Sequence, residues 1–530
     1  MRVRIHPLPL TRLRAVRGLV ALGAVGALVL GMLAAFAGPS ASARVADPGK
    51  APAAGGERRA ATDALREAQE IRTDGAAGRD ATMALRDLFA TRDALTGAER
   101  EAADRILARP TSPGGDGYLN YGNVDEAPPV CNATLCVHYV TEGANASTPA
   151  QVNETLTTLS DVHNNFIASG YRAPKADGNR GGNSKIDVYL GNIGNLGIYG
   201  YCTSDDPNKS TSRYDRWAYC ALDNDFSAEE FPTNTPLENR QVTAAHEYFH
   251  AIQFAYDAYE DAWLMEATAA WVEDELYDNV DDNLQYLRTS QMRNPGIPLD
   301  TFNPSTGFHY GTWSFFRFLT EKYRGKKGVL PKLVLDIWKK ADSTPGAPDM
   351  YSWQAVNAVL KKKKTTGAAM LGAYAVANRR PAKAYDEGRA NKYPTAPAKR
   401  IKLAKGKTRG HQATLNHLTT RTVVVQPKGK MGKKAKVRLK FNLSRKATGA
   451  YALVTTTAKS GKVRTVRVKL NRQGDGVRVV PFNNKVKKLE VTLVNGSGRF
   501  KCWQRTGFSC QGTPLDNRLV QRFTATALRR

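Results

Sequence analysis

Apolar side chains recur every three or four residues over 238–258 and 263–278, and this spacing predicts two consecutive helices. The same period continues over 310–324, 328–340 and 352–378. Upstream, Leu65, Ile71, Met83, Leu85, Leu88, Phe89, Leu95, Ile106 and Leu107 mark two or three short helices between residues 61 and 108. The Pro- and Gly-rich stretch "RPTSPGGDG" at 109–117 ends that pattern. Two segments, "KIDVYLGNIG" (185–194) and "RWAYCALDND" (216–225), are rich in aromatic and β-branched residues, bounded by Gly, Asn and Asp, and predict strands.

Beyond "KYPTAPAKR" the period becomes two. "RTVVVQ" (421–426), "KVRLKFNL" (436–443), "YALVTTT" (451–457), "KVRTVRVKL" (462–470), "VRVVPF" (477–482), "KKLEVTLV" (487–494) and "LVQRFTATAL" (519–528) alternate apolar with basic or polar residues. Seven such segments predict an antiparallel β-sandwich over 400–530, with cations on the wet faces. Lys361 to Lys364 read as a solvated helix face or turn. Helices and strands mix over 118–397, so the expected class is α+β.

The first residues are set apart. Arg2, Arg4, Arg12, Arg14 and Arg17 precede an apolar run over 18–38, and Ala-Ser-Ala follows at 41–43. This is the order of a secretory signal, 1–43, cleaved after Ala43; an uncleaved anchor is the alternative for so long an apolar run. Residues 44–117 then form a linker and helical segment, either a propeptide or the first lobe of the core. The chain is expected to be secreted, with no membrane segment after cleavage. Its six cysteines fall into local groups, Cys131 with Cys136, Cys202 with Cys220 and Cys502 with Cys510, which suits disulfides in an oxidising compartment. Six cysteines allow 15 pairings and spacing does not choose among them. No CxxC spacing occurs, which argues against a cysteine zinc ribbon or a thioredoxin-type site.

Charge is uneven. Residues 361–530 hold 42 Lys and Arg against 5 Asp and Glu, while the rest of the chain is mildly acidic. Such a basic third suits an anionic partner, with a cell-wall polymer held by residues 400–530 the form expected, and cell-wall association with it. Nucleic acid is disfavoured, because the cations alternate along strands without an aromatic platform or a recognition helix.

Candidate chemistry concentrates in "HEYFH", His246 to His250, on the first predicted helix. Residues four apart share a helix face, so His246 and His250 can present two imidazoles to one ion. Zinc accepts such nitrogens, and Glu247, one step round, reaches its open position and can take a proton from a water that the ion has acidified. A third ligand is required, and Glu266 follows His250 by 16 residues in the apolar setting "WLMEATAAWVEDE" on the next helix. Glu273, Asp274 and Glu275 are expected on a solvated helix face.

"HEYFHAIQFAYD" followed by "WLMEATAAWVED" resembles the gluzincin zinc metallopeptidases, the clan of thermolysin and of peptidase-MA-like proteins, and is especially similar to secreted bacterial metallopeptidases with a C-terminal β domain. The resemblance spans roughly residues 80–400. It implies a zincin-like catalytic domain over 118–397, with His246, His250 and Glu266 as zinc ligands, Glu247 as general base and a protein or peptide as substrate. Tyr310, in "GFHYGTWSFFRFL", resembles the transition-state donor of such enzymes. One departure stands out: many gluzincins carry Asp four residues after the ligand glutamate, where this chain has Ala270, so a partner for a ligand histidine has to come from elsewhere.

The strand "KIDVYLGNIG" is expected to be a substrate-facing sheet edge. Asp223 with Asp225, and Asp278 with Asp281 and Asp282, are weaker candidates for Ca²⁺, since neither group matches an EF-hand loop. The alternative to an endopeptidase is a secreted cell-surface or polyanion-binding protein with a structural or inactive zinc site. Retention of Glu247 favours the enzyme.

Overall fold

The computed structural model describes residues 54–207, 213–326 and 328–528, so the expected signal 1–43 lies outside the described residues. Twelve helices are described: α1 (Ala54–Asp74), α2 (Ala81–Thr91), α3 (Gly97–Ile106), α4 (Pro149–Ser169), α5 (Pro236–Asp257), α6 (Ala262–Leu276), α7 (Phe308–Gly311), α8 (Trp313–Lys322), α9 (Lys332–Ala341), α10 (Ser352–Lys362), α11 (Gly367–Ala377) and α12 (Pro381–Ala384). None is long and apolar enough to cross a membrane. Five strands precede the basic third: β1 (Val130–Cys131), β2 (Leu135–His138), β3 (Ile186–Gly191), β4 (Gly200–Thr203) and β5 (Tyr219–Asp223). The chain is α+β.

The five strands form one mixed sheet in the order β1-β2-β3-β5-β4, with β2, β3 and β5 parallel and the outer pairs antiparallel. Every residue of β2, β3 and β5 is buried, as a parallel centre covered on both faces requires. The two-residue period divides the strands between two cores. Val188, Leu190, Cys220 and Leu222 face α4 and α5, whereas Tyr189, Tyr201, Tyr219 and Ala221 face Leu65, Leu85 and Leu88 of α1 and α2. Helices α1 to α3 are therefore one of three layers. Strand β3 lies at the centre of the sheet, so the expectation that it is an edge is corrected; the edge nearest α5 is β4.

Local signals explain the element ends. Helix α5 starts at Thr235, whose hydroxyl accepts from the Glu238 amide while Glu238 reaches back to the Thr235 amide, with Pro236 in the first turn. The expected helix 352–378 is two helices, because Thr366 caps α11 through the Ala369 amide and Lys364 adopts φ 56° just before it. The expected helix 310–324 likewise begins earlier and breaks at Thr312 into α7 and α8. Three disulfides join nearest neighbours: Cys131–Cys136 across β1 and β2, Cys202–Cys220 across β4 and β5, and Cys502–Cys510.

The last third adds β6 (Lys399–Ala404), β7 (Thr408–Leu415), β8 (Thr419–Lys428), β9 (Lys436–Asn442), β10 (Ala450–Ala458), β11 (Val463–Arg467), β12 (Asp475–Pro481), β13 (Val486–Asn495), β14 (Phe500–Lys501), β15 (Thr513–Pro514) and β16 (Leu519–Ala527). Sheet β11-β10-β13-β8-β6 faces sheet β12-β9-β16-β7 across a core that includes Val423, Leu439, Phe441, Val454, Val491 and Phe523. Strands β6 and β7 add to the seven expected segments; "KRIKLA" and "TRGHQATL" carry no strand signal in the sequence because they keep mostly exposed, polar side chains and lack clean alternation. Strand β6 runs parallel to β8, so the sandwich is not purely antiparallel. The second face of the first sheet packs on α11, where the Tyr451 hydroxyl donates to the Ala368 carbonyl at 2.5 Å. Glu490, buried in that interface, is held by Arg379 at 3.0 Å and by Arg380.

A buried ionic network ties the loop after α3 to the sheet. Arg109 donates to Asp177 at 2.6 Å, to Asp205 at 2.9 Å and to Asp187, while His138 lies between Asp187, at 3.0 Å, and Glu126. Burial alone would lower the His138 pKa, but the hydrogen bonds to Asp187 and Glu126 win and raise it to about 9. A folded value above the unfolded one near ~6.5 means stability fully present below pH ~6.5 and lost as pH rises through about 9. The expected outcome is that the parent loses up to about 3 kcal/mol from this group between pH 6 and 10. Denaturant unfolding of His138→Gln across that range checks it: the variant should be weaker at pH 6 and show a flatter alkaline fall, and an unchanged fall would reject the role.

Candidate metal centre

Helices α5 and α6 are joined by only four residues, Ala258 to Asp261, and pack side by side. Both are buried almost all round, so polar groups on their facing sides have to satisfy one another. His246 and His250, one turn apart on α5, meet Glu266 of α6. His246 Nε2 lies 3.2 Å from Glu266 Oε2, and His250 Nε2 lies 3.3 Å from Glu266 Oε1. The donor atoms of the three residues fall within 4.8 Å of one another.

These residues fit a zinc ion. Four tetrahedral ligands at about 2 Å from an ion stand roughly 3.3 Å apart, which is the spacing of Glu266 from each of the two histidines. His250 Nε2 and Glu266 Oε1 are fully buried and make no hydrogen bond of good geometry, although buried polar atoms seldom lack one. Burial alone would raise the Glu266 pKa, yet the imidazoles of His250 and His246 hold it well below the usual carboxylate range. Two imidazoles and one carboxylate are the donor set of catalytic zinc sites that leave one position open.

The outer nitrogens are held as well. His250 Nδ1 is 2.7 Å from Gln253 Oε1, whose amide nitrogen donates onward to the Met265 carbonyl and to Thr268. His246 Nδ1 is 2.5 Å from Glu273 Oε1. Glu273 stands two turns beyond Glu266 on the same face of α6, so one helix grips both nitrogens of His246. This supplies the histidine partner that Ala270 does not. It also corrects the expectation of a solvated face: Glu273 and Asp274 are buried, because α8 and the 282–288 segment cover that side, and Asp274 and Glu275 pair with Arg317 at 2.9 and 3.3 Å. Burial pushes the Glu273 carboxyl up to about 7 against the pull of His246.

Glu247 lines the same cleft, of about 180 Å³, with His246, Tyr286 and Tyr310. Burial raises its pKa. The Thr82 hydroxyl donates to Glu247 Oε2 at 3.3 Å. Gly200, at the start of β4, lies beneath Glu247: a Cβ there would come within 2.7 Å of Glu247 Cγ and 2.8 Å of Thr243 Cγ2. Tyr310 sits 6.0 Å from the His246 ring, centre to centre, and its hydroxyl donates to Asp80 Oδ2 at 2.8 Å. Its phenol pKa is raised well above normal by burial and by Asp80, so Tyr310 keeps its proton.

Of the five expected site residues, His246, Glu247 and Tyr310 line the cleft, and His250 and Glu266 lie fully buried behind His246. The N-terminal layer adds Asp80 to the lining and Thr82 as the partner of Glu247. Their sequence context, Asp80 as cap of α2 through the Met83 amide, announces only a helix start.

The Ca²⁺ candidates fare differently. Asp223 and Asp225 come together with Glu230, but Asp223 spends its oxygens on the Gly194, Asp225 and Phe226 amides. Asp278 groups with Asp274 and Glu387 around Arg317, while Asp281 accepts from Asn391 and Asp282 from Asn234.

No protein-family model and no curated protein matches the chain. Among solved structures, it is similar to the pre-peptidase C-terminal domain of collagenase from Bacillus anthracis, at 7% identity and a TM-score of 0.15, over 25% of this chain and 96% of that one. It is also similar to a family GH115 4-O-methyl-α-glucuronidase, at 10% identity and a TM-score of 0.13, over 55% of this chain and 38% of that one. Likenesses this slight carry no argument about this chain's fold or chemistry, which rest on its own geometry.

Proposed function

We propose that the chain is an exported zinc-dependent endopeptidase of the gluzincin type, with a zincin-like domain built on α5 and α6. The observation that carries the reading is the buried convergence of His246, His250 and Glu266, with an unpaired nitrogen and oxygen facing each other at 3.3 Å beside Glu247. A structural site has no use for that second carboxylate, which stands outside the three candidate ligands. The three disulfides support export, since such bonds persist in oxidising compartments.

His246, His250 and Glu266 would hold the ion. Zinc, when bound there, supplies Lewis acidity that polarises a carbonyl and lowers the pKa of water. Glu247 takes the proton of the attacking water and later passes it to the leaving amine; its raised pKa brings it closer to the working pH of such a shuttle. Thr82 fixes one Glu247 oxygen and leaves the other for the proton. Tyr310, kept protonated by its buried setting, turns its O–H from Asp80 to the carbonyl oxygen as negative charge develops there.

Zinc analysis of the exported chain should find about one ion per molecule, lost in Glu266→Ala, together with chelator-sensitive cleavage of a denatured protein substrate. Glu247→Ala should keep the metal and lose roughly 10²–10⁴-fold in kcat; a variant as active as the parent would overturn the mechanism. Glu273→Gln, which removes the partner of His246, should weaken zinc affinity by about 10–100-fold in chelator competition, and unchanged affinity would show that the contact does not tune the site.

A further inference from the structure

We infer that the outward face of sheet β12-β9-β16-β7 is a docking surface for a linear phosphodiester polymer with aliphatic, non-aromatic repeats. The opposite sheet is covered by α11, so this is the broad face of the sandwich left to solvent among the described residues.

Its charge is one-signed by construction. Residues 401–530 contain only three carboxylates, Asp475, Glu490 and Asp516. Glu490 is buried between Arg379 and Arg380, and Asp516 is buried against Arg499 at 2.7 Å. Asp475 sits at the corner of the face, accepting from Asn442 at 2.9 Å. The acids are thus turned inward or tied at the edge, while Lys436, Arg438 and Lys440 stand outward on β9, each exposed. Alternate residues of a strand recur every ~6.8 Å, so these cations form an evenly spaced row. Arg522 continues the grid on β16, its Nε held by Gln412 at 2.6 Å. An evenly spaced row of cations matches a chain with one anion per repeat better than it matches a single compact anion.

The neutral part of the face selects among polyanions. Register places Val477 beside Lys440 and Val479 beside Arg438, and both valines are exposed, at 56% and 43%. No aromatic side chain points outward from β12, β9, β16 or β7. Nucleobases and sugar rings dock by stacking on aromatic groups, which this face lacks. Flat valines beside a cation row offer van der Waals contact to the CH₂ groups between successive phosphates.

The test uses the full exported chain and poly(glycerol phosphate) as probe, with uronate polysaccharide, single-stranded DNA and anionic vesicles as parallel arms. A triple variant, Lys436→Gln, Arg438→Gln and Lys440→Gln, is compared with a control that loses the same charge elsewhere, Lys361→Gln, Lys362→Gln and Lys363→Gln at the exposed end of α10. The face variant should bind the probe at least about tenfold more weakly, with a shallower salt dependence, while the control stays within about twofold of the parent. Equal losses in both variants, unchanged binding in the face variant, or tighter binding of any other arm than of the probe would overturn the proposal. Neither variant alters His246, Glu247, His250 or Glu266, so zinc content and peptide cleavage should stay at the parent's level and this result is independent of the proposed catalysis.

Discussion

Burying ionisable groups between two apolar helices is costly, and the α5–α6 pair does it with His246, His250, Glu266 and Glu273 at once. Each is tolerable only because another faces it. That mutual dependence fixes the rotation of α5 against α6, the short connection between them, and the position of every element packed outside. Gly200 is glycine because Glu247 occupies the space a side chain would need, and β4 must come that close to bring the sheet edge to the cleft. Gln253 is committed to orienting His250 and Glu273 to orienting His246, so the carboxylates and amides behind the histidines are as constrained as the faces in front.

The sheet obeys a second constraint of the same kind. Parallel strands with both faces buried need two covering layers. The alternation in β5, Tyr219 and Ala221 one way and Cys220 and Leu222 the other, assigns one layer to α4 and α5 and the second to α1–α3. The N-terminal helices therefore share the core of the domain, and α2 in particular is buried along nearly its whole length.

What the sequence made legible follows how local each cause is. The helix pair, the four residues from His246 to Glu266 and the strands of the sandwich were readable because periodicity and i,i+4 spacing act within one or two turns. Tyr310 was placed by resemblance, and the structure brings it to the cleft. Glu273 departs from expectation because an acidic residue near a helix end reads as solvated until the covering residues, Asp282 to Arg288 and α8, are in place. Asp80 and Thr82 were invisible because nothing local to a helix cap says that it will land beside a residue more than 160 positions away. Strand β3 departs from expectation, lying at the centre instead of the edge, for a related reason: a six-residue strand does not state which partners flank it.

The cleft is assembled from parts of the chain that are made far apart in time. Asp80 and Thr82 are among the first described residues to be synthesised, the histidines follow much later, and Tyr310, which bonds to Asp80, is added 230 residues after it. Long-range contacts of this kind form late. A nascent chain that ends before Tyr310 has every candidate ligand and still lacks the wall opposite them.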